Sequence, residues 1–370
     1  MVVGIVELRA TATAMRVGAS KAVCGVMRNR RAMKPRPFGK IGESDTRRRG
    51  VHMAVNGVSL KDRFEGCLLG LAVGDSLGGK FEAQSAEAIH SRFHSAERLI
   101  AYPQEELWYT DDTQMAIGVS EALIERGEIV EDVLCRAFVA NYVPSRGYGR
   151  GARAVLDAME DGRDYRQVAE QYFPGGSYGN GAAMRIAPVG LLFRDDHRRL
   201  WDQARLSALP THRHQLGIEG AQLLALAVAL CSAVEQFNRD QFFAELLRAC
   251  ESEEYRDKLE QASRVRTPED LAGLGNRIEA LHSVPTAIAS FALTPESFEQ
   301  TVCNVIFLGG DTDTLAAMAG ALSGAYVGGS RLPPRLVGLL ENSPKGGAYI
   351  QHLAGKLLAA FHARSATSAF

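Results

Sequence analysis

The chain is poor in everything that staples or spans. Its six cysteines (Cys24, Cys67, Cys135, Cys231, Cys250, Cys303) are scattered without a Cys-x-x-Cys pair. That excludes the usual zinc and disulfide-framework patterns and points to a reducing cytosol, hence a cytoplasmic protein. The most apolar stretch, Leu216 to Val234, is interrupted by Glu219 and Gln222, so it reads as a buried helix and not as a membrane span. Alternating β patterns are almost absent, with Arg98 to Tyr102 a weak candidate strand. There is no Gly-Lys-Ser/Thr phosphate loop and no Gly-x-Ser-x-Gly elbow, and no Ser-His-Asp or Cys-His set can be assembled.

What is present is an ordinary globular composition, 46% apolar and 23% charged over 370 residues, enough chain to bury a sizeable core. Charge is unevenly distributed. Residues 1–52 hold twelve of the forty-two Lys and Arg but three of the forty-three Asp and Glu, so the remainder carries thirty basic against forty acidic side chains. Such an acidic body has no bulk attraction for nucleic acid, and a phosphorylated ligand would need metal ions or backbone amides to bind it. Residues 1–55 are expected to be a basic, disordered extension or an upstream start, with organellar targeting as the alternative. A single all-α domain is expected over residues 60–365.

That domain reads as many short helices. Phe64, Cys67, Leu68, Leu71 and Ala72 fall at i, i+3, i+4 spacing. Further helical text runs over Met115 to Leu123, Val133 to Val143, Ala152 to Met159, Leu200 to Leu209, Gly217 to Phe237, Gln241 to Cys250, Val284 to Leu293, Leu315 to Val327 and Tyr349 to Ala363. Gly74-Asp75-Ser76-Leu77-Gly78-Gly79 reads as a flexible hinge after the first helix, with Asp75 an N-cap or a buried hydrogen-bond acceptor.

Two acidic stretches carry the chemistry: Thr110-Asp111-Asp112-Thr113, and Gly309-Gly310-Asp311-Thr312-Asp313-Thr314. Each sets two carboxylates and hydroxyls just ahead of a helical segment. One polar residue suffices for an N-cap. Two such sets with matching grammar suit a hard cation that wants oxygen ligands. On a regular helix Asp311 and Asp313 would diverge by roughly 200°, so the second set needs a turn, which the preceding glycines permit. Glu82, just beyond the glycine-rich hinge, could swing toward such a site. The run Gly175-Gly176-Ser177-Tyr178-Gly179-Asn180-Gly181 can present backbone N–H groups to a diphosphate, with Tyr172, Phe173 and Tyr178 placed to stack a purine. His212 could hydrogen-bond a phosphate or a ribose.

Together these segments resemble the ADP-ribosyl-acceptor hydrolase (ADP-ribosylglycohydrolase) family. The resemblance rests on Gly66-Cys67-Leu68-Leu69-Gly70-Leu71-Ala72-Val73-Gly74-Asp75, the two acidic stretches, Tyr178 to Arg185 and Thr211-His212, in order over about residues 62–362. The chain looks most like the type 3 branch, which acts on serine-linked ADP-ribose, poly(ADP-ribose) and O-acetyl-ADP-ribose. Arg146-Gly147-Tyr148-Gly149 and Leu274-Gly275-Asn276 are typical of that branch, whereas Arg150, Arg213-His214 and Arg277 depart from it.

The resemblance implies an all-α fold with two Mg²⁺ ions in a central cleft. It implies Thr110, Asp111, Asp112, Asp311, Asp313 and Thr314 as ligands, and Glu82 as a mobile carboxylate over the metals. Gly175 to Gly181 would hold the diphosphate, with Tyr172 and Tyr178 near adenine and with His212 and Ile278 as further contacts. Glu82, Asp111 or Asp112 would move the proton. The partner implied is an ADP-ribosylated protein or a small ADP-ribose conjugate, handled by a monomer without nucleic acid or membrane. Alternatives are an arginine-specific hydrolase of the nitrogenase-regulator type, and a non-catalytic binding or structural relative.

Overall fold

A computed structural model describes residues 57–367; the basic segment 1–55 lies outside the described residues. Helices α1 (Leu60–Gly78), α2 (Ala86–Arg92) and α3 (Ala96–Ala101) lead to α4 (Asp111–Arg126), α5 (Glu131–Asn141), α6 (Arg150–Glu160) and α7 (Tyr165–Tyr172). After a 3₁₀ turn (Asn180–Ala182) come α8 (Ala187–Leu192), α9 (His197–Ala208), α10 (Gln215–Ala233), α11 (Arg239–Ala249) and α12 (Glu253–Arg264). The chain continues through α13 (Ala280–Leu293), α14 (Phe298–Ile306), α15 (Thr312–Val327), α16 (Pro334–Leu339) and α17 (Gly347–Thr367). Among the described residues there is no strand, only three isolated β-bridges. The fold is all-α.

The helices start where the side chains can cap them. Ser59, Ser85, Ser95, Asp164, Asp196, Asn238, Ser252 and Ser297 each accept a backbone N–H at a helix entry, relieving donors that have no partner within the helix. Ser95 explains why the candidate strand at Arg98 to Tyr102 fails. Its hydroxyl accepts from Arg98 N, and the segment turns into α3 with Leu99 buried. Local capping outweighs a weak alternation. By length and composition α10 could cross a bilayer, but it lies almost wholly in the core. Its buried Glu219 is tolerated because it accepts from Glu251 N (2.8 Å) and Ser252 N (3.0 Å), at the entry to α12.

The spine of the fold is an antiparallel pair, α1 against α15. Gly66, Gly70, Gly74 and Gly78 recur every four residues, one helical face apart. They meet Gly324, Gly320, Ala316 and Thr312 in that order. A Cβ at any of these four glycines would fall well inside 3.0 Å of a backbone carbonyl oxygen of α15, so the helices touch backbone to backbone. This corrects the hinge reading of Gly74 to Gly79. Gly74 and Gly78 lie inside α1 and are packing surfaces, and the chain leaves the helix only after them. Thr312 closes the seam by donating its hydroxyl to Gly78 O (2.8 Å).

Candidate active site

The seam determines where the acidic groups lie. The C-terminal end of α1 runs against the N-terminus of α15, and the turn after α1 is stitched to the loop before α15. Ala83 N donates to Gly310 O (2.9 Å) and Gly310 N to Gln84 O (3.0 Å). Ala83 takes a left-handed φ of 62°, the one non-glycine residue to do so among those described, which marks a turn held by its surroundings. Asn276 fastens the same loop, donating to Leu308 O (2.9 Å) and Gly309 O (3.0 Å) and accepting from Asp311 N (3.1 Å).

Asp75, on α1, brings in the other acidic stretch, Thr110 to Thr113. It is fully buried and accepts from Thr110 N (3.0 Å), Thr113 N (3.0 Å) and Thr113 Oγ1. It is an internal acceptor that organises the N-terminus of α4. Thr110 is the N-cap of α4 and Asp311 that of α15. Each acidic pair therefore sits at the positive end of a helix dipole. Asp311 N-caps with φ −86° and ψ 63°, outside the helical region, so it escapes the divergence that a regular helix would impose on Asp311 and Asp313.

The carboxylates feel one another. Burial first, then Asp75 and Asp313, push the Asp111 carboxyl up to about 8. Burial likewise lifts Asp75 to about 7, with Asp313 adding to it, and raises Asp112, Asp311 and Asp313. Glu82 is raised by Asp313 before burial. No lysine or arginine forms an ion pair with any of these six among the described residues. The nearby Arg146 guanidinium is committed to Glu341 through two bonds of 2.6 and 2.8 Å. Asp112 Oδ1 is buried without a hydrogen-bond partner. Such a donor set fits a hard divalent cation. No group of three or more His, Cys, Asp or Glu among the described residues closes into a cage by itself, so an ion here would also draw on Thr110, Thr314 and water.

A pH dependence follows. These folded-state carboxyl values lie above the unfolded value near 4, so the metal-free folded protein holds protons that the unfolded chain has released. Stability should fall as pH rises through the window ending near 8. The buried His212, lowered to about 3, works in the opposite direction, but only below its unfolded value near 6.5. In EDTA, Tm is expected to drop between pH 6.5 and 8.5, and Mg²⁺ should remove most of that drop. Scanning calorimetry at both pH values checks it; a flat EDTA profile would show that the carboxylates do not burden one another.

The glycine-rich loop joins the same cleft. Asn180 donates Nδ2 to Asp311 Oδ2 (2.6 Å), while its backbone N donates to Ile278 O (2.8 Å). Gly175 and Gly176 adopt φ 83° and 92°, and a Cβ at Gly176 would strike the backbone at Arg213 and His214. The expectation of a row of free amides needs correction. Gly175 N donates to Glu170 Oε1, Gly176 N to Phe173 O and Gly179 N to Ser177 Oγ. The N–H groups of Ser177, Tyr178 and Gly181 have no partner among the described residues and remain for a ligand. Tyr172, Tyr178 and Ile278 are exposed beside the loop, Ser177 and His212 buried beneath it. Sequence reasoning placed Asp75 correctly as an acceptor; it quoted Asn276 and Arg185 within motifs but gave them no role, and it passed over the glycine seam, whose signal was its four-residue repeat.

The family model described as ADP-ribosylglycohydrolase matches residues 56–367. ADP-ribosylhydrolase ARH3 of Gallus gallus is 35% identical over 323 residues, covering 74% of this chain and 87% of the relative. The Homo sapiens ARH3 is 36% identical over 318 residues, covering 73% and 87%. A solved structure titled ADP-ribosylglycohydrolase-related protein complex superposes with a TM-score of 0.63 at 24% identity, covering 82% of this chain and 99% of that one, a likeness of fold. The chain belongs to the ADP-ribosylglycohydrolase family and is an ADP-ribosyl hydrolase, an enzyme of the glycosidase class.

Proposed function

We propose that this enzyme is a Mg²⁺-dependent hydrolase that cleaves the ribosyl C1″–O bond of O-linked ADP-ribose: serine-linked, polymeric or O-acetyl. The observation that carries the reading is the 2.6 Å bond from Asn180 to Asp311. It ties the loop suited to a diphosphate directly to the acidic cluster, so a ribose linked to a diphosphate in that loop would lie over the carboxylates. The O-linked preference is supported by the 35–36% identity to ARH3 across most of the chain.

In this reading Thr110, Asp111, Asp112, Asp311, Asp313 and Thr314 hold two Mg²⁺ ions, which supply Lewis-acid stabilisation of charge on oxygen and make water more acidic. Cleavage passes through oxocarbenium-like character at C1″, which nearby carboxylates stabilise. Glu82 makes no hydrogen bond among the described residues and is exposed on its turn, free to exchange a proton with the acceptor oxygen. Tyr172 and Tyr178 offer faces to adenine. The Ser177 and Tyr178 amides take phosphate oxygens, and Ile278 packs at the rim.

A substrate panel tests this: serine-, arginine- and polymer-linked ADP-ribose and O-acetyl-ADP-ribose, each with Mg²⁺ and with EDTA. Release from the O-linked substrates in Mg²⁺ alone is expected. Preferential release from arginine would replace the reading by the N-glycosidic one. Binding of ADP-ribose without turnover of any substrate would replace it by a binding protein.

A further inference from the structure

Beneath the glycine-rich loop lies a buried cation with no carboxylate partner. Arg185 is 1% exposed and enters no ion pair among the described residues. Its guanidinium sits 4.8 Å from the Phe138 ring centroid and donates Nη2 to Ser207 O (2.9 Å) and to Thr211 Oγ1 (2.8 Å). Thr211 Oγ1 in turn lies 2.8 Å from His212 Nδ1. Hydrogen-bond capacity decides the direction of this chain. Arginine can only donate, so the Thr211 oxygen accepts from it. The single hydroxyl proton then has one neighbour able to take it, His212 Nδ1. Were Nδ1 protonated instead, two donors would face Thr211 and its own proton would be buried without a partner.

His212 is thereby neutral with its proton on Nε2. The Nε2 atom makes no hydrogen bond to the described residues and faces the loop, 3.1 Å from where a Cβ of Gly181 would stand. Burial and then the Arg185 charge hold its pKa at about 3, in keeping with a donor that stays neutral. Four of the seven loop amides, those of Gly175, Gly176, Gly179 and Asn180, are already bonded to protein acceptors, so a side-chain donor adds to the few left for an anion.

We propose that Arg185 and Thr211 are positioning residues: they hold His212 in the Nε2–H tautomer, so that it donates a hydrogen bond to a phosphate oxygen of the ligand lying in the 175–181 loop. The proposal rests on that loop being the diphosphate site. Its pH signature separates it from a charged histidine. Affinity for ADP-ribose should show no histidine titration between pH 5.5 and 7.5.

The test is nitrogen-15 NMR of the histidine side chains in the full chain, with His212→Gln identifying the resonance, paired with ADP-ribose titrations. The wild-type spectrum is expected to show an acceptor-type Nδ1 and a protonated Nε2. Thr211→Val should release the tautomer and raise Kd for ADP-ribose and KM about tenfold, with kcat changed less than twofold. Thr211→Ser should restore both spectrum and affinity. A wild-type Nδ1–H tautomer, or a spectrum indifferent to Thr211→Val, overturns the relay, and the wild-type measurement needs no variant to fold. A tautomer that responds while neither Thr211→Val nor His212→Gln changes ADP-ribose affinity overturns the ligand half alone, since the Ser177 and Tyr178 amides would still hold the phosphate.

Discussion

Asp313→Ala is expected to lower turnover by about 10³-fold or more while leaving a folded protein. Asp313 is buried at the start of α15, accepts from Thr314 N (2.9 Å) and raises the pKa of Asp75, Asp111, Asp112, Asp311 and Glu82. It is the charge that all the others share. Removing it relieves repulsion, so in EDTA the variant should melt at or above the wild-type Tm. In Mg²⁺ the order should reverse. Wild type gains stability by mass action, about 2.7 kcal/mol when free ion is a hundred times Kd, and the variant gains almost none. Opposite signs of a single substitution in two buffers separate loss of a ligand from loss of the fold. An Asp313→Ala protein that stays active and is stabilised by Mg²⁺ like wild type would sink the metal reading.

The acidic stretches stood out because they exceed what a helix entry demands and match what the proposed cation would demand. A helix N-terminus favours negative charge and needs an acceptor, and a hard cation needs several oxygens. Thr110 with Asp111 and Asp112, and Asp311 with Asp313, carry more oxygen than capping requires, and that surplus is visible in the text. The all-α character was legible for the same kind of reason, from apolar spacing repeated along the chain. The bonds that hold the site together were not. Asp75 was legible as an acceptor but not its donors Thr110 and Thr113, and Asn276 and Arg185 reach carbonyls of residues 308–309 and of Ser207, at least 22 residues away, with nothing local to mark those partners. The loop amides were misjudged because a glycine-rich run announces conformational freedom and says nothing of which N–H groups the fold consumes. The hinge was misjudged for a related reason: glycine serves both bending and close approach, and only a four-residue period tells them apart.

That ambiguity makes the seam the most exposed point of the fold, and Gly74→Val is expected to destabilise the protein by about 3–5 kcal/mol. A Cβ at Gly74 would meet the Ala316 carbonyl, its carbon and the Ala317 nitrogen. All three are backbone, so no rotamer change can make room. The helices must separate, and a seam closed by Gly66, Gly70 and Gly78 on the same face cannot open at one point alone. Gly355→Ala is the control. That glycine lies within α17 with nothing within 4 Å of a built Cβ, and alanine there should stabilise by about 0.5–1 kcal/mol. Chemical denaturation of the two variants should therefore move in opposite directions. Gly78→Ala carries the argument from packing to chemistry. Its methyl would press on Thr312 O and lie 2.8 Å from Asp313 Cα, at the end of the seam where the carboxylates begin. It should weaken Mg²⁺ binding and turnover by more than its loss of stability accounts for, because spreading α1 from α15 there moves Asp313 relative to Asp75 and Asp111. Equal losses of stability and metal affinity in Gly74→Val and Gly78→Ala would mean that the seam supports the fold alone and leaves the geometry of the acidic cluster to its own loops.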